Sequence, residues 1–304
     1  MYIPEAEVRG LLTYEALIPA IRQALIDYSA GRVEQPPRMI LRAGNAEGHD
    51  NGWFGVMPAI AGDVMGVKTV TFYPGNAGLG LHTHMAVIEL LSRATGEPLA
   101  IMDGRLITEM RTAAVSAVAL AALRRPQARS LGILGSGVQA RAHIQAFHEV
   151  WPEANEIRVW SRTTAHAERL AVEAGARVAA REEAAAADVV LTVTSSPSPV
   201  LEGKWLLPNA LVLAIGATGD SLREIDDEAM LSSYVVAESR SCAEREAGDV
   251  RFSGAKVQAE IGEILSGAAP APAGRIVFKS VGMAIEDLTA ARLVWQALAG
   301  APKK

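Results

Sequence analysis

The chain has a single cysteine, Cys242, in 304 residues. One thiol excludes an intramolecular disulfide framework and a cysteine-rich zinc site, and its expected role is that of a small apolar side chain. Aromatic residues make up only 5% of the chain. No basic tract stands out and the formal net charge is −5, so a nucleic-acid partner is not expected. The first residues, Met1-Tyr2-Ile3-Pro4-Glu5, lack a basic segment followed by an apolar one, and no signal peptide is read there. The longest apolar helical stretch, 113–123, is interrupted by Ser116 and is too short to span a bilayer. These absences leave a cytoplasmic protein without a membrane partner as the expectation.

What is abundant is apolar and small. Half of the residues are hydrophobic, and the length favours two domains with a substantial core. The most informative stretch is Leu131-Gly132-Ile133-Leu134-Gly135-Ser136-Gly137-Val138-Gln139-Ala140. A short apolar run reads as a buried parallel strand, breaks into Gly135-Ser136-Gly137, and passes at once into a helical pattern through Ala142, Ala146, Phe147 and Val150. Strand, glycine turn and helix form the context in which G-x-G-x-x-A signals dinucleotide binding. Gly135 permits the tight turn, Gly137 lets backbone approach a pyrophosphate, and Ala140 keeps helix close to strand. The helix N-terminus offers unpaired N–H groups and partial positive charge to phosphates.

Before this stretch, 5–30 reads as one helix, with Leu17, Ile18, Ile21, Leu25 and Tyr28 at helical spacing. Pro36-Pro37 starts an extended segment over 38–41. Short strands are predicted at 53–57, 64–70, 85–91 and 98–102, separated by Gly, Pro, Asn or Asp, a spacing that suggests an antiparallel sheet. A helix over 108–123, with Thr108 as its cap, is expected to link this domain to the next. Beyond the glycine loop, strands at 157–160, 177–179, 188–194, 210–215, 234–237 and 276–278 alternate with helices at 164–174, 181–187 and 255–265. That alternation predicts a doubly wound parallel sheet. Residues 268–274 read as a loop, and 284–298 as an amphipathic helix. The expected fold is therefore α/β: a Rossmann-type parallel sheet plus an α+β domain built on an antiparallel sheet. Domain limits are expected at 1–114, with 284–304 returning to it, and 115–283.

The residue after the second strand of such a sheet meets the adenosine ribose, and NAD sites normally place Asp or Glu there. Here Ile157-Arg158-Val159-Trp160 runs into Ser161-Arg162-Thr163, with no carboxylate. Arg162 can pair with a 2′-phosphate and stack on adenine, with Ser161 and Thr163 as further donors. NADP(H) is the preferred cofactor and NAD(H) the alternative.

Three cations precede the glycine loop: Arg38, Lys68 in Gly66-Val67-Lys68-Thr69, and Arg111 in Arg111-Thr112-Ala113-Ala114. A cation in an apolar strand is costly unless paired. If the three meet, they form a site for a substrate carboxylate.

Gly66-Val67-Lys68, Pro74-Gly75-Asn76, Thr95-Gly96-Glu97-Pro98-Leu99-Ala100, Arg111-Thr112-Ala113-Ala114, Leu134 to Ala140, and the run from Val277 to Leu288 occur in order across almost the whole chain. Together they resemble the ornithine cyclodeaminase/mu-crystallin family. The resemblance implies a homodimer whose antiparallel sheets pair across the interface. It also implies that Arg38, Lys68 and Arg111 hold the substrate carboxylate, with Thr83 beside them. Thr112 would contact the cofactor, Gly137, Val138 and Gln139 the pyrophosphate, and Ser161, Arg162 and Thr163 the 2′-phosphate. Thr194 and Ser195 would line the cofactor cleft, and Ser280 and Gly282 would lie near the nicotinamide.

Two departures from the family's pattern bear on activity. Cyclodeaminases follow the strand corresponding to 210–215 with Gly, a small residue and an aspartate, whereas this chain reads Gly216-Ala217-Thr218-Gly219-Asp220. Thr218 has no basic form near neutral pH and cannot be the general base that deamination needs. Asp220 would substitute only if the loop were rearranged. His82 stands where the family usually has Pro; His82 and His84 would share a strand face, but no third ligand is visible and no metal is expected. A role for His82 in substrate choice or proton donation is the alternative.

The expected reaction is reduction of an imino acid, a cyclic ketimine carboxylate, by hydride from NADPH. The cations fix the carboxylate, and Lys68, its pKa lowered by two arginines, supplies the proton to nitrogen. The expected active-site trio is Lys68, Arg111 and Thr218. The alternatives are ornithine or lysine cyclodeamination, an alanine-dehydrogenase-like reaction, and a non-enzymatic NADPH-dependent binder of small ligands.

Overall fold

The computed structural model describes residues 1–44, 50–219 and 221–300. Asp220 lies outside them. The chain divides into two compact units, one of 1–112 with 283–304 and one of 113–282.

The first unit is built on a seven-stranded sheet. Its elements are β1 (Tyr2–Ile3), α1 (Glu5–Leu11), α2 (Tyr14–Ser29), β2 (Val33–Glu34), β3 (Met39–Gly44), β4 (Asp50–Ala61), β5 (Val64–Phe72), β6 (His84–Ser92) and β7 (Pro98–Asp103). The order is β1-β7-β6-β5-β4-β2, with β3 also on β4. All pairs are antiparallel except β1 on β7. Alternation along β5 and β6 puts one set of side chains inside, as the period of two requires. The register lines up Met57, Lys68, Ile88 and Met102 across four strands. All four are buried, so Lys68 is a cation in an apolar row. The C-terminal helix, Ala284–Gly300, packs on α2 and on β4, β5 and β6.

The single helix expected over 5–30 is two helices. Leu12 is extended, and the Thr13 hydroxyl accepts the Ala16 N–H at 3.3 Å, so Thr13 caps α2. The helix α3 begins at Arg105 and runs to Leu123. Thr108 is therefore inside it rather than its cap; the Arg105 N–H is met by Asp103 Oδ1 at 2.9 Å, and the Thr108 hydroxyl donates to the Gly104 carbonyl at 2.8 Å. At 19 residues this helix is long and apolar enough to cross a bilayer, contrary to the shorter reading, but 78% of that stretch is buried inside the fold.

The second unit carries an eight-stranded, wholly parallel sheet. It comprises β8 (Ser130–Leu134), α4 (Val138–Val150), β9 (Glu156–Trp160), α5 (Thr164–Ala174), β10 (Arg177–Val178), α6 (Arg181–Ala185), β11 (Val189–Thr192) and β12 (Leu211–Ala214). Then follow α7 (Asp227–Leu231), β13 (Tyr234–Ala237), α8 (Arg240–Glu246), α9 (Gly248–Ser253), β14 (Ala259–Glu260), α10 (Ile261–Leu265) and β15 (Ile276–Lys279). The order β10-β9-β8-β11-β12-β15-β13-β14 reverses direction between β8 and β11. A ligand crevice opens at such a switch point, beyond the strands' C-terminal ends. The helix predicted over 255–265 is confined to 261–265. Glu260 and Glu263 form a capping box that fixes its start, and Ala259–Glu260 instead pairs with Val236–Ala237.

Close packing at β8 depends on Gly132, where a Cβ would stand 1.7 Å from the Ala184 carbonyl oxygen of α6. On α4, His143 is completely buried. Its Nδ1 lies 2.7 Å from the Gln139 carbonyl, which only accepts, so Nδ1 carries the proton. Nε2 then accepts from the Ser116 hydroxyl at 2.8 Å. Burial pulls the His143 pKa down to about 4. The unfolded imidazole binds a proton below about pH 6.5, so stability is lost as pH falls from there toward the folded value. Between pH 6.5 and 5 this group should remove about 1.5 kcal/mol. Urea unfolding of His143→Gln at both pH values should show a correspondingly smaller loss; an equal loss would contradict it.

Candidate active site

Two clusters of functional side chains emerge, one in each unit. In the first unit, Lys68 projects from the inner face of β5. Its Nζ lies 2.6 Å from Asp287 Oδ2 and donates a longer bond, 3.5 Å, to Thr108 Oγ1. Arg111 of α3 donates from Nε to Asp287 Oδ1 at 2.9 Å and from Nη1 to Glu286 Oε2 at 2.7 Å. Glu286 and Asp287 occupy the first turn of the C-terminal helix, where carboxylates are favoured by the helix dipole. Glu286 Oε2 also accepts the Met283 N–H at 3.1 Å, and Gln35 Oε1 accepts the Ile285 N–H at 2.9 Å. All four charged residues are buried.

Electrostatics follow from this packing. Burial lowers the Lys68 pKa, Asp287 pulls it back up, and Arg111 and Arg38 lower it further; the balance is about 8. Burial pushes Asp287 up, but Arg111 and Lys68 outweigh it and hold the carboxyl below its usual range. Arg38, half-buried after Pro36-Pro37, is thus near enough for Lys68 to feel its charge. His84 shares the inner face and falls to about 4, through burial first and then Lys68 and Arg111. It is neutral in the physiological range. Thr83 is half-buried, and its carbonyl accepts the Tyr73 N–H. His82 is exposed and precedes the strand, with its carbonyl held by Asn76, so the two histidines do not form a strand pair. Among the described residues no group of His, Cys, Asp and Glu is arranged to hold a metal. Thr112 is buried, and its hydroxyl donates to the Thr108 carbonyl at 2.7 Å.

In the second unit, the residues expected to bind a dinucleotide lie at the C-terminal ends of the parallel strands. Gly135 has φ of 126°, in the region that favours glycine, and a Cβ there would lie 2.6 Å from the Val193 carbonyl oxygen. Gly137 caps α4 without a side-chain hydrogen bond, and a Cβ on it would meet nothing within 4 Å. Val138 is exposed, and Gln139 Oε1 is buried without a hydrogen-bond partner. A cradle of open backbone and an uncapped helix start fit a bound pyrophosphate, and the orphaned Gln139 amide oxygen can accept from a hydroxyl of the attached groups. Ser136 bonds Ser161 at 2.8 Å, tying the glycine loop to the end of β9. Arg162 is exposed and has no ion-pair partner among the described residues, and Thr163 is exposed beside it. A cavity of about 440 Å³ opens alongside, lined by Trp160, Ser161, Thr164 and residues 178–180, with Glu183 on its wall.

Three buried carboxylates that sequence reasoning missed organise the other strand ends. Glu224 accepts from Thr192 Oγ1 at 2.9 Å and from the N–H groups of Thr194, Gly216 and Ala217 at 2.5, 2.7 and 3.1 Å. It thereby joins the loops after β11 and β12. Burial raises its pKa, and Lys279 opposes that rise. Asp249 accepts the N–H groups of Glu224 and Ile225 and pairs with Lys279 at 2.9 Å. Glu238 accepts the N–H groups of Val281 and Gly282, holding the segment after β15. Ser280 is buried there, its N–H on the Ala214 carbonyl. Thr194 is half-buried, and Ser195 is exposed on the same loop as Thr194. Thr218 is exposed after β12, its N–H on the Gly216 carbonyl. The signal for Glu238 is an acidic residue directly after an apolar strand, and for Glu286 and Asp287 an acidic pair opening an apolar helix; Glu224, in a loop ten residues after β12, has no such signal.

A profile of the ornithine cyclodeaminase/mu-crystallin family matches residues 1–301. The chain is 43% identical to the ketimine reductase mu-crystallin of Mus musculus over 289 residues, covering 92% of this chain and 91% of that protein. Among solved structures, it is similar to an archaeal alanine dehydrogenase dimer with bound NAD, with a TM-score of 0.93 and 28% identity over 98% of this chain and 96% of that one. It is also similar to the Δ1-pyrroline-2-carboxylate reductase of Thermococcus litoralis in complex with NADH and L-proline, with a TM-score of 0.92 and 29% identity over 98% and 97%. The chain belongs to the ornithine cyclodeaminase/mu-crystallin family.

Proposed function

We propose that this chain is an NAD(P)H-dependent oxidoreductase that reduces an imino acid, a cyclic ketimine carboxylate, with NADP(H) preferred over NAD(H). The observation that carries the reading is the buried Lys68 ammonium, flanked by Arg111 and within the field of Arg38. Such a cluster offers a carboxylate two directional cations and offers a ring nitrogen an acid. The names of its relatives, a ketimine reductase and a pyrroline-2-carboxylate reductase, support the same class of substrate.

The dinucleotide, when bound, supplies hydride to the C=N carbon. This chain's own residues do the rest. Arg38, Lys68 and Arg111, with Thr83, fix the substrate carboxylate, and Lys68 holds the proton that the nitrogen takes as the double bond is reduced. Gly135, Gly137, Val138 and Gln139 hold the pyrophosphate, and Thr112, Thr194, Ser195, Ser280 and Gly282 complete the cofactor's surroundings. Cyclodeamination is disfavoured because the exposed Thr218 hydroxyl is not a base. The division of labour follows the chain: 1–114 with 284–304 for substrate and dimerisation, 115–283 for the dinucleotide. The enzyme is proposed to act in the cytoplasm.

The acid role sets a sign. Lys68 donates only when protonated, so turnover should fall as pH rises through about 8. Lys68→Met should cost about 100-fold or more in kcat/KM and abolish that limb. Loss of substrate affinity with hydride transfer intact would remove Lys68 from the proton step. The broader test follows NADPH absorbance with five- and six-membered ketimine carboxylates, with an ammonia assay on ornithine alongside. Ammonia release without added reductant would favour cyclodeamination.

Cofactor preference rests on Ser161-Arg162-Thr163, a segment that offers a guanidinium and two hydroxyls and carries no carboxylate of its own. Arg162→Ala should raise the KM for NADPH roughly tenfold and leave that for NADH nearly unchanged. Equal effects on both would overturn the assignment.

The outer face of the antiparallel sheet exposes Met85, Val87 and Ile101, an apolar surface that supports a homodimer. Sedimentation equilibrium should give twice the chain mass. A monomer would contradict it.

A further inference from the structure

We propose that Asp287 is a positioning residue that fixes Lys68 and Arg111 relative to each other and keeps Lys68 an acid rather than a base. The inference rests on the reading in which Lys68 donates a proton. Asp287 is the carboxylate that touches both cations: Oδ1 accepts from Arg111 Nε at 2.9 Å, and Oδ2 lies 2.6 Å from Lys68 Nζ. Glu286 pairs with Arg111 Nη1 at 2.7 Å. One rigid carboxyl group with two separate contacts therefore sets the spacing of the two cationic heads.

The surroundings of Lys68 make that carboxylate necessary. The groups facing it are Asp287, Arg111, Arg38, the neutral His84 and the Thr108 hydroxyl. Along its own row it meets Met57 and Ile88. Without Asp287 the desolvated ammonium would lose the carboxylate 2.6 Å away while two guanidinium groups remain in its field. Such an ammonium sheds its proton, because burial and like charge both disfavour it. A neutral amine neither attracts a carboxylate nor protonates a ring nitrogen. No bond is made or broken at Asp287; the proton that reaches substrate leaves Lys68, which regains one from solvent.

Six lysines in the chain make a direct readout practical. The protein is labelled at lysine Cε, and the Lys68 signal is assigned by its absence from Lys68→Met. In the NADP-bound enzyme Lys68 should titrate near 8, and in Asp287→Asn about one pH unit lower or more. The alkaline limb of kcat/KM for ketimine reduction should move down with it, giving about tenfold lower activity at the wild-type limb. Glu286→Gln, which disturbs Arg111 from the other side, should leave the Lys68 titration close to its wild-type position. An unmoved Lys68 titration in folded Asp287→Asn overturns the proposal. If Asp287→Asn does not fold, Asp287→Glu decides. With charge retained but the carboxylate displaced, Lys68 should still titrate near the wild-type position while kcat drops about fivefold or more; undiminished kcat overturns the positioning role. The reading beneath it fails separately: Lys68→Met with an unchanged pH profile removes Lys68 from proton transfer, while the titration still decides what Asp287 does.

Discussion

A charge taken out of water must be met by an opposite charge and by hydrogen bonds, or it is not kept. Lys68 and Arg111 are both buried, and the carboxylates that meet them come from the far end of the chain. Arg111 and Asp287 are 176 residues apart in sequence. The return of the C-terminal helix to the first unit is therefore an electrostatic requirement as much as a packing one. Deleting that helix would remove the carboxylates that meet both buried cations as well as uncover an apolar sheet face. Placing Glu286 and Asp287 in the first turn lets the helix dipole share the cost of burying them.

The second unit solves a different problem with the same chemistry. Strand-end loops in a parallel sheet leave N–H groups without ladder partners, and a cofactor crevice needs those loops to stand still. Glu224 gathers N–H groups from two loops, Glu238 from a third, and Asp249 anchors the Glu224 backbone while pairing with Lys279. Buried carboxylates accept several bonds at once, so one side chain can register several loops. The glycine loop is held without a buried carboxylate, by the Gly135 turn, the Ser136–Ser161 bond and the Arg141 guanidinium on the Ser136 carbonyl.

Local patterns were legible in the sequence, and long-range partnerships were not. The period of two in 64–70 and 85–91 and the glycine-rich turn at 135–137 are encoded within a few residues, and the structure places strands and a helix start there. Errors came where a short signal was outweighed by a neighbour. Thr108 has the chemistry of a cap, but Asp103 lies where α3 actually starts. The apolar spacing passes through Thr13 unbroken and predicts one helix, whereas the Thr13 hydroxyl caps a new helix there. Ala255 to Gln258 has helix formers, but the capping box at Glu260 and pairing of Ala259 with Val236 take the chain elsewhere.

The candidate site shows the same division. Cation identity was readable, because Lys68 stands out in an apolar strand. Its protonation state was not, because that depends on Asp287 as much as on the two arginines. The arginines account for the lowered pKa expected from the sequence; Asp287, which raises it, is the contribution not visible there. With Asp287 in contact it remains charged to about pH 8. The charge carried by Lys68 is accordingly set by a carboxylate from the C-terminal helix as well as by the arginines, and the glycine loop has no part in it.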